Sequence, residues 1–209
     1  MKGTQRDSTR LRLIRVAERL FARHGIDAVS LNEIVHTAKA SAAAIHYHFG
    51  NREGLLDAII RERQPVWSAL GRSMISELEA RPEVTAREVV AVMIEPIAAL
   101  SAQPWGADYI GFIAELASHR RYASILHRAA EPHAAPYLKQ LARAMPDLPD
   151  DIRVARYAYL RAFVYQALGA TDQRVELWLT SIGQPAHHWT TDDLIDLVTG
   201  AMTAPVHLR

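Results

Sequence analysis

Two short segments with helical periodicity stand only three residues apart near the start of the chain, and this spacing narrows the choice of fold. The first segment begins at Ser30, which has capping-box spacing to Glu33 and is followed by apolar residues at helical intervals. The second segment, residues 42–48, can be capped by Ser41. Two short helices joined by such a turn form a helix-turn-helix. The sequence therefore predicts that motif near the N-terminus.

A helix is expected on each side of this motif. Apolar residues recur at helical spacing ahead of Gly25, which predicts a first helix of about 15 residues, capped within residues 7–9 and stopped at the glycine. After the motif, Gly50 ends the second short helix and Asn51 is placed to cap a long one. That long helix is predicted to continue through Pro65, with a kink there.

The remainder of the chain is helical in pattern as well. Further helices are predicted over about residues 85–103, 107–119, 122–145 (interrupted at Pro132 and Pro136), 150–169 and 191–204. The fold class is therefore predicted to be all-α, with a helix-turn-helix three-helix head over residues 1–63 and a larger helical-bundle body over residues 64–209. The boundary is expected inside the long helix rather than in a flexible linker.

The absence of cysteine limits the chemistry available to the chain. It excludes disulfides, thiolate zinc sites and thiol nucleophiles, and it fits a reducing compartment. The first twenty residues are charged and periodic rather than continuously apolar, so no secretory signal is expected. Because no window holds about 18 consecutive apolar residues, no transmembrane helix is expected. We therefore expect a soluble, cytoplasmic protein.

The charge of the chain is distributed unevenly. Residues 1–63 contain eleven Lys and Arg against seven Asp and Glu, an excess of +4, whereas the remaining residues carry −3. A basic head on a mildly acidic body is typical of a head that binds a polyanion such as DNA, although a modest excess also occurs on ordinary solvated surfaces.

The histidines do not form a plausible metal site. His46 and His48 are two positions apart, so on a helix their side chains point roughly 200° from each other, and the adjacent His187 and His188 are no better placed. No zinc-protease, nucleophile-elbow or phosphate-loop motif is present. The sequence therefore predicts no metal, no cofactor and no enzymatic activity.

The segment from Ser41 to Phe49 has the composition of a DNA recognition helix. Ser41, Ala42 and Ala43 are small enough for the backbone to approach the major groove. Phe49 is expected to pack on Phe21 of the first helix. Side chains that can bind phosphates and fix the register on DNA are Ser30, Lys39, Tyr47, His48 and Arg52.

Aromatic residues in the body offer a weaker functional hypothesis. Such residues at helical spacing usually belong to a core, but helical bundles also form apolar pockets with a few polar groups. Trp105, Tyr109 and Phe112 lie on one predicted helix near His119. Together with Phe163 they are candidate ligand-binding residues.

The stretch IRVAERLFARHGIDAVSLNEIVHTAKASAAAIHYHFGNREGLLDAII resembles the DNA-binding domain of the tetracycline-repressor (TetR) family of bacterial transcription regulators. The resemblance covers about residues 10–63. The residues that carry it are Ala17, Leu20, Phe21, Gly25, Ser30, Ile34, Ala38, Ser41, the cluster His46-Tyr47-His48-Phe49, and Arg52 to Leu56.

This resemblance implies an all-helical homodimer whose body binds a small-molecule effector and pairs through a four-helix bundle, here from residues 150–169 and 191–204. It implies a DNA-binding regulator, most simply a repressor, whose two heads enter successive major grooves of a near-palindromic operator. In that arrangement Ala42, Ala43 and His46 would face bases, and Ser30, Ser41, Tyr47, His48 and Arg52 would hold phosphates.

The sequence departs from the family pattern in the head. The family usually has glycine at Lys39, glycine or another small residue at Ala43, and tyrosine at His46. Lys39 would need an ordinary backbone conformation or would be strained at positive φ. Lys39 thus keeps open one alternative, a helical sensor that has lost DNA binding. A second alternative, an enzyme that uses a cavity in the body, also stays open, although no catalytic constellation in the sequence supports it.

Overall fold

The computed structural model describes residues 2–185 and 190–206, with side chains for all of these except residues 2–7 and 170–176. This part of the chain is helical and has no β-strand, so the all-α prediction is confirmed. The elements are α1 (Lys2–His24), α2 (Leu31–Thr37), α3 (Ala44–Phe49), α4 (Arg52–Glu79), α5 (Ala86–Ala98), a 3-10 helix (Ala99–Ala102), α6 (Gly106–Ser118), α7 (Ala123–Ala144), α8 (Asp150–Ser181) and α9 (Thr191–Thr203).

Side-chain caps begin several helices, and those at Ser30 and Asn51 were predicted. The Ser30 hydroxyl accepts from the backbone N–H of Glu33 at the start of α2, and Asn51 accepts from Gly54 at the start of α4. Thr85 and Glu88 form both hydrogen bonds of a capping box before α5. These caps satisfy backbone N–H groups that have no partner inside the helix.

Two predicted helix starts in the head are wrong. Helix α1 begins at Lys2 rather than being capped within residues 7–9, so it is 23 residues long. Helix α3 begins at Ala44, with Ala43 in the capping position and no side-chain cap, so Ser41 does not cap it. The backbone carbonyl of Ser41 instead accepts from the Ala44 N–H, which adds a turn before the helix.

The predicted interruptions at Pro132 and Pro136 and the predicted end of a helix at residue 169 are also wrong. Helix α7 continues through Pro132 and Pro136, and α8 continues past Gly169 to Ser181. A Cβ atom at Gly169 would lie 2.5 Å from the Ala114 Cβ and 2.8 Å from the Ile110 carbonyl oxygen. Gly169 therefore allows α8 to pack closely against α6, which is a different role from ending a helix.

The apolar core joins the head to the body. One buried cluster runs from α1, α2, α3 and the start of α4 into α6 and α7. Within it, the rings of Phe21 and Phe112 are fully buried with centroids 6.2 Å apart. A second cluster lies farther along the body, between α4, α5, α7, α8 and α9. The head is therefore packed directly on α6.

Candidate DNA-binding surface and body cleft

The turn between α2 and α3 has the conformation that glycine would supply. Lys39 has φ +49°, in the left-handed region that side chains other than glycine rarely adopt. Its N–H donates to the His36 carbonyl, and the next N–H, of Ala40, donates to Val35. The turn is thus formed despite the lysine. Lys39 does not prevent the turn from forming, so it no longer argues strongly for a sensor that has lost DNA binding.

Replacing Lys39 with glycine is expected to raise the free energy of unfolding by about 0.5–1 kcal/mol. The substitution relieves the left-handed strain of about 1–2 kcal/mol, and part of this gain is offset because glycine makes the unfolded chain more flexible. Thermal unfolding followed by circular dichroism measures the change. The control is Asn32→Gly, at an exposed helical position of α2, which should lose stability. A stability loss in Lys39→Gly would show that the lysine makes compensating contacts.

The segment ahead of α3 consists of small, exposed residues. Ser41, Ala42 and Ala43 are all exposed, while Ala44 and Ile45, directly after them, are buried in the core of the head. A buried inner face and an exposed, small outer face allow close approach of a DNA groove.

His46 has a defined hydrogen-bonding role on α3. Its Nδ1 lies 2.9 Å from the carbonyl oxygen of Gly50. A carbonyl can only accept, so the ring donates from Nδ1, and Nε2 of the neutral imidazole is then an acceptor. In a major groove such an acceptor is complementary to the amino groups of adenine and cytosine.

The predicted phosphate-binding residues other than Arg52 are exposed or half-buried. Ser30, Lys39 and Tyr47 are exposed, Tyr47 by 66% of its surface, and His48 is half-buried. The rings of Tyr47 and His48 contact edge to face with centroids 4.9 Å apart. Phe49 is half-buried and packs on the core of the head.

Arg52 has a structural role within the head. Its guanidinium donates to the carbonyl oxygen of Ile26 at 2.6 Å and lies 5.8 Å from the centroid of the Phe21 ring. It thereby connects the start of α4 to the segment after α1. A phosphate contact by Arg52 would have to use the remaining N–H groups of the guanidinium.

Arg12 is a residue of the head that sequence reasoning missed. Its Nε donates to the carbonyl of Ala38 at 2.7 Å, directly before the turn, and Nη2 lies 3.4 Å from the hydroxyl of Thr9. Arg12 thus connects α1 to the end of α2. The contact spans 26 positions, so no local pattern could have indicated it.

Polar contacts connect the head to α6 and the turn after it. The N–H of Ile26 donates to the Glu115 carboxylate at 3.1 Å, and Arg121 donates to Glu53 at 3.1 Å. His119 accepts at Nδ1 from two backbone N–H groups, so the neutral ring carries its proton on Nε2, which lies 3.2 Å from Asp27.

A buried ion pair lies where α1, α4 and the start of α6 meet. Arg63 donates to both carboxylate oxygens of Glu18, at 2.9 and 3.2 Å, and its guanidinium lies 3.9 Å from the centroid of the Trp105 ring. The side chains of Arg63 and Glu18 are only 9% and 2% exposed. Burial raises the pKa of the Glu18 carboxyl, although the hydrogen bonds from Arg63 lower it.

The five residues proposed from the sequence to bind a ligand differ in their burial and surroundings. Tyr109 and Phe112 are buried in the core, and Trp105 packs under Arg63. His119 faces Asp27, and Phe163 is 42% exposed on α8. None of them lines the cleft described next.

That cleft lies between α4, α5, α7 and α8 and has two adjoining chambers. The inner chamber is narrow and includes Tyr157, Arg161 and Tyr165 in its wall. The outer chamber is wider and is lined by residues such as Ser68, Arg72 and Glu79. The two chambers share Trp67, His133 and Tyr137.

Hydrogen bonds fix the shared wall of the cleft. The Gln64 amide donates to the carbonyl of Ala129 and to Nε2 of His133, both at 3.0 Å. His133 therefore carries its proton on Nδ1. Burial, together with the positive charge of Arg72, lowers the pKa of His133 and favours this neutral ring. The indole N–H of Trp67 donates to the Tyr109 hydroxyl at 3.3 Å, which connects the cleft to α6.

The outer surface of α8 carries an apolar stripe. Tyr159, Phe163 and Leu177 are 79%, 42% and 66% exposed. Their spacings of four and fourteen residues place them within about 40° of one another on a helix of 3.6 residues per turn. Trp178 is also 61% exposed. Exposed apolar side chains that share one helix face make that face a candidate interaction surface.

Two other features are absent from the described residues. No group of three or more histidine or acidic side chains is placed to hold a metal ion. Within the same ranges, no helix is both long and apolar enough to cross a bilayer. The pair His187 and His188 lies outside the described residues.

Comparison with known protein families identifies both parts of the chain. A family model described as "Bacterial regulatory proteins, tetR family" matches residues 13–59. A second model, "Tetracyclin repressor-like, C-terminal domain", matches residues 91–201, more than half of the chain.

The sequence matches to curated relatives cover only part of each protein. The "Probable acrEF/envCD operon repressor" of Escherichia coli is 30% identical over 95 residues, which cover 46% of this chain and 43% of that protein. The transcriptional regulator TtgR of Pseudomonas putida is 32% identical over 74 residues, or 35% of each chain. The chain thus spans less than half the length of these curated relatives.

Solved structures share the fold across nearly the whole chain. GusR of Salmonella enterica superposes with a TM-score of 0.57 at 20% identity, over 94% of this chain and 96% of GusR. FadR of Bacillus subtilis, in complex with stearoyl-CoA, gives 0.56 at 15% identity over 94% and 99%. A protein from Saccharomonospora viridis in complex with choline gives 0.58 at 17% identity over 97% and 100%.

Proposed function

Because this chain belongs to the tetracycline-repressor family of bacterial regulators, we propose that it is a ligand-responsive, DNA-binding transcriptional repressor that acts in the cytoplasm. The observation that carries the proposal is the exposed surface of Ser41 to Ala43 with His46 and Tyr47, presented by an intact helix-turn-helix. The operon repressor among its relatives supports repression over activation. Residues 1–63 serve as the DNA-binding domain and residues 64–209 as the ligand-binding and dimerisation domain.

The surface of the head divides into base-reading and phosphate-binding residues. Ala42, Ala43 and His46 face bases in the major groove, and the Nε2 acceptor of His46 pairs with an adenine or cytosine amino group. Ser30, Lys39, Ser41, Tyr47 and His48 hold phosphates. Arg52 contributes less to phosphate binding, because its guanidinium already donates a hydrogen bond to the Ile26 carbonyl.

Two copies of the chain pair through α8 and α9. The stripe of Tyr159, Phe163 and Leu177 supplies the apolar centre of the interface. A two-fold dimer presents two identical heads, which matches a near-palindromic operator with half-sites about one helical turn apart.

The effector binds in the cleft and acts on the head through α6. Trp67 lines both chambers and donates to Tyr109 of α6, and Glu115 of the same helix accepts from Ile26 in the head. A ligand that shifts Trp67 thereby changes how α6 holds the head. It releases DNA only to the extent that it binds the released state more tightly.

Operator binding by two variants tests the assignment on the head. Tyr47→Phe removes one phosphate donor and should weaken binding to every sequence by a similar factor, about 3- to 10-fold. His46→Ala should instead relax the preference at one base pair, worth about 1–3 kcal/mol. Fluorescence anisotropy against DNA from upstream of the chain's own gene, and against single-base variants of the bound site, measures both.

The matched control is Ser73→Ala, which removes an exposed hydroxyl on α4 and should leave binding unchanged. An even loss across all sequences in His46→Ala would contradict base reading by that residue. If the unmodified chain bound this DNA no more tightly than unrelated DNA at several salt concentrations, the proposed function itself would be overturned.

A further inference from the structure

We infer that the effector of this chain is an organic anion with a planar, apolar body, and that Arg161 binds its charged group in the inner chamber. This inference rests on the proposed function, because it assumes that the cleft is the effector site. It adds the chemical class of the ligand.

The inner chamber provides apolar walls. Its lining combines the aliphatic residues Met93, Ile97 and Val164 with the aromatic rings of Trp67, Tyr137, Tyr157 and Tyr165. A lining rich in aromatic and aliphatic side chains favours a flat, apolar or aromatic molecule.

The charge of the inner chamber is positive. Arg161 is the one ionised side chain among its described lining residues, and no aspartate or glutamate stands beside it. Within the described part of the chain, Arg161 also takes part in no ion pair. Its guanidinium lies 5.6 Å from the centroid of the Tyr157 ring, so the arginine is supported by an aromatic surface. A carboxylate is the group that a guanidinium recognises best.

The neutral polar groups of the chamber also favour an acceptor. His133 carries its proton on Nδ1, because Nε2 accepts from Gln64, so the ring offers a donor. The Tyr137 hydroxyl donates to the Val92 carbonyl at 3.0 Å and is already engaged. In the outer chamber Glu79 is paired with Lys139 at 2.8 Å, which leaves Arg72 at the cleft as a further positive group.

A cationic ligand fits this chamber poorly. Four aromatic rings could surround a quaternary ammonium group, but the Tyr157 ring already lies beneath the Arg161 guanidinium. A second cation would be held near Arg161 without a carboxylate to offset the repulsion.

Three probes of the same shape test the inference: 2-naphthoate, 2-naphthamide and 2-naphthylmethylammonium. Isothermal titration calorimetry at neutral pH measures their binding to the full-length protein without DNA. We expect naphthoate to bind at least about 10-fold more tightly than the amide, because the pair with Arg161 is charge-assisted. The ammonium probe should bind most weakly.

Arg161→Gln is expected to remove the preference for naphthoate over the amide. The matched control is Arg128→Gln, an exposed arginine of α7 that lines neither chamber, and it should retain the preference. Circular dichroism verifies that each variant is folded. If Arg161→Gln does not fold, the three-probe comparison on the unmodified protein still tests whether the cleft prefers an anion.

Equal binding of acid and amide, preference for the ammonium probe, or no binding of any probe would each overturn the inference. A preference that persists in Arg161→Gln would overturn the role of Arg161. Operator binding is measured in parallel. If operator is bound but the probes are not distinguished, the proposed function stands and the inference fails. If naphthoate is preferred but no operator is bound, the regulatory function fails and the anion preference stands.

Discussion

Replacing Arg63 with alanine is expected to lower the free energy of unfolding by about 3–5 kcal/mol, because it leaves the buried Glu18 carboxylate without its partner. The arginine donates two hydrogen bonds to this carboxylate and also packs on the Trp105 ring. The pair connects α1 to α4. The substitution therefore weakens the packing at the junction of head and body. For a chain of this size, thermal unfolding should move down on the order of 10 °C.

The pH dependence of this loss identifies its cause. Burial already raises the pKa of Glu18 in the folded protein, and Arg63 works against that rise. Without Arg63 the folded pKa moves further above its unfolded value, so the folded state binds a proton more readily than the unfolded state. Stability of Arg63→Ala should therefore increase, relative to the unmodified protein, as the pH falls through the folded pKa of Glu18. Denaturant unfolding at a series of pH values measures this.

Two further variants separate charge burial from simple loss of an arginine. Arg61→Ala removes an exposed arginine that pairs with Asp57 at 2.7 Å on the same helix, and it should cost no more than about 0.5 kcal/mol. The double variant Glu18→Met with Arg63→Met removes both charges and should recover most of the loss. Equal losses in Arg63→Ala and Arg61→Ala would contradict an energetic role for the buried pair.

The features that the sequence predicted correctly depend on neighbours in the chain. Ser30 caps α2 because its hydroxyl is within reach of the N–H three positions on, and Asn51 does the same for α4. Gly25 and Gly50 end their helices at positive φ. Each of these outcomes follows from a spacing of a few residues.

Some of the failed predictions concern positions whose role depends on contacts between distant segments. Gly169 looked like a helix stop, but its role is set by the approach of Ala114 and Ile110 on another helix. The cleft could not be predicted from local sequence patterns either, because its walls come from α4, α5, α7 and α8. Trp67, Tyr137 and Tyr165 stand out in the sequence only as aromatics, and nothing local indicates that they share a cavity with Arg161.

We expect the double variant Phe163→Glu with Leu177→Glu to convert the proposed dimer into a monomer and to weaken operator binding at least about 100-fold. Both residues belong to the exposed apolar stripe of α8. In a two-fold interface each substitution occurs twice, so four carboxylates would have to be buried without partners, at a cost of several kcal/mol. A single head then binds one half-site and loses the effective concentration that the second head provides. Analytical ultracentrifugation and anisotropy with the operator fragment measure the two effects.

Val154→Glu is the matched control for this prediction. Val154 is 48% exposed on the same helix, but nine residues from Phe163 it points about 180° away from the stripe. This variant should remain dimeric and bind the operator normally. Because the double variant changes only exposed side chains, its monomer should keep the helical circular dichroism of the unmodified chain. A dimer that survives both glutamates would place the interface away from the stripe. A monomer that still binds the full operator tightly would show that pairing of the heads is not what supplies the affinity.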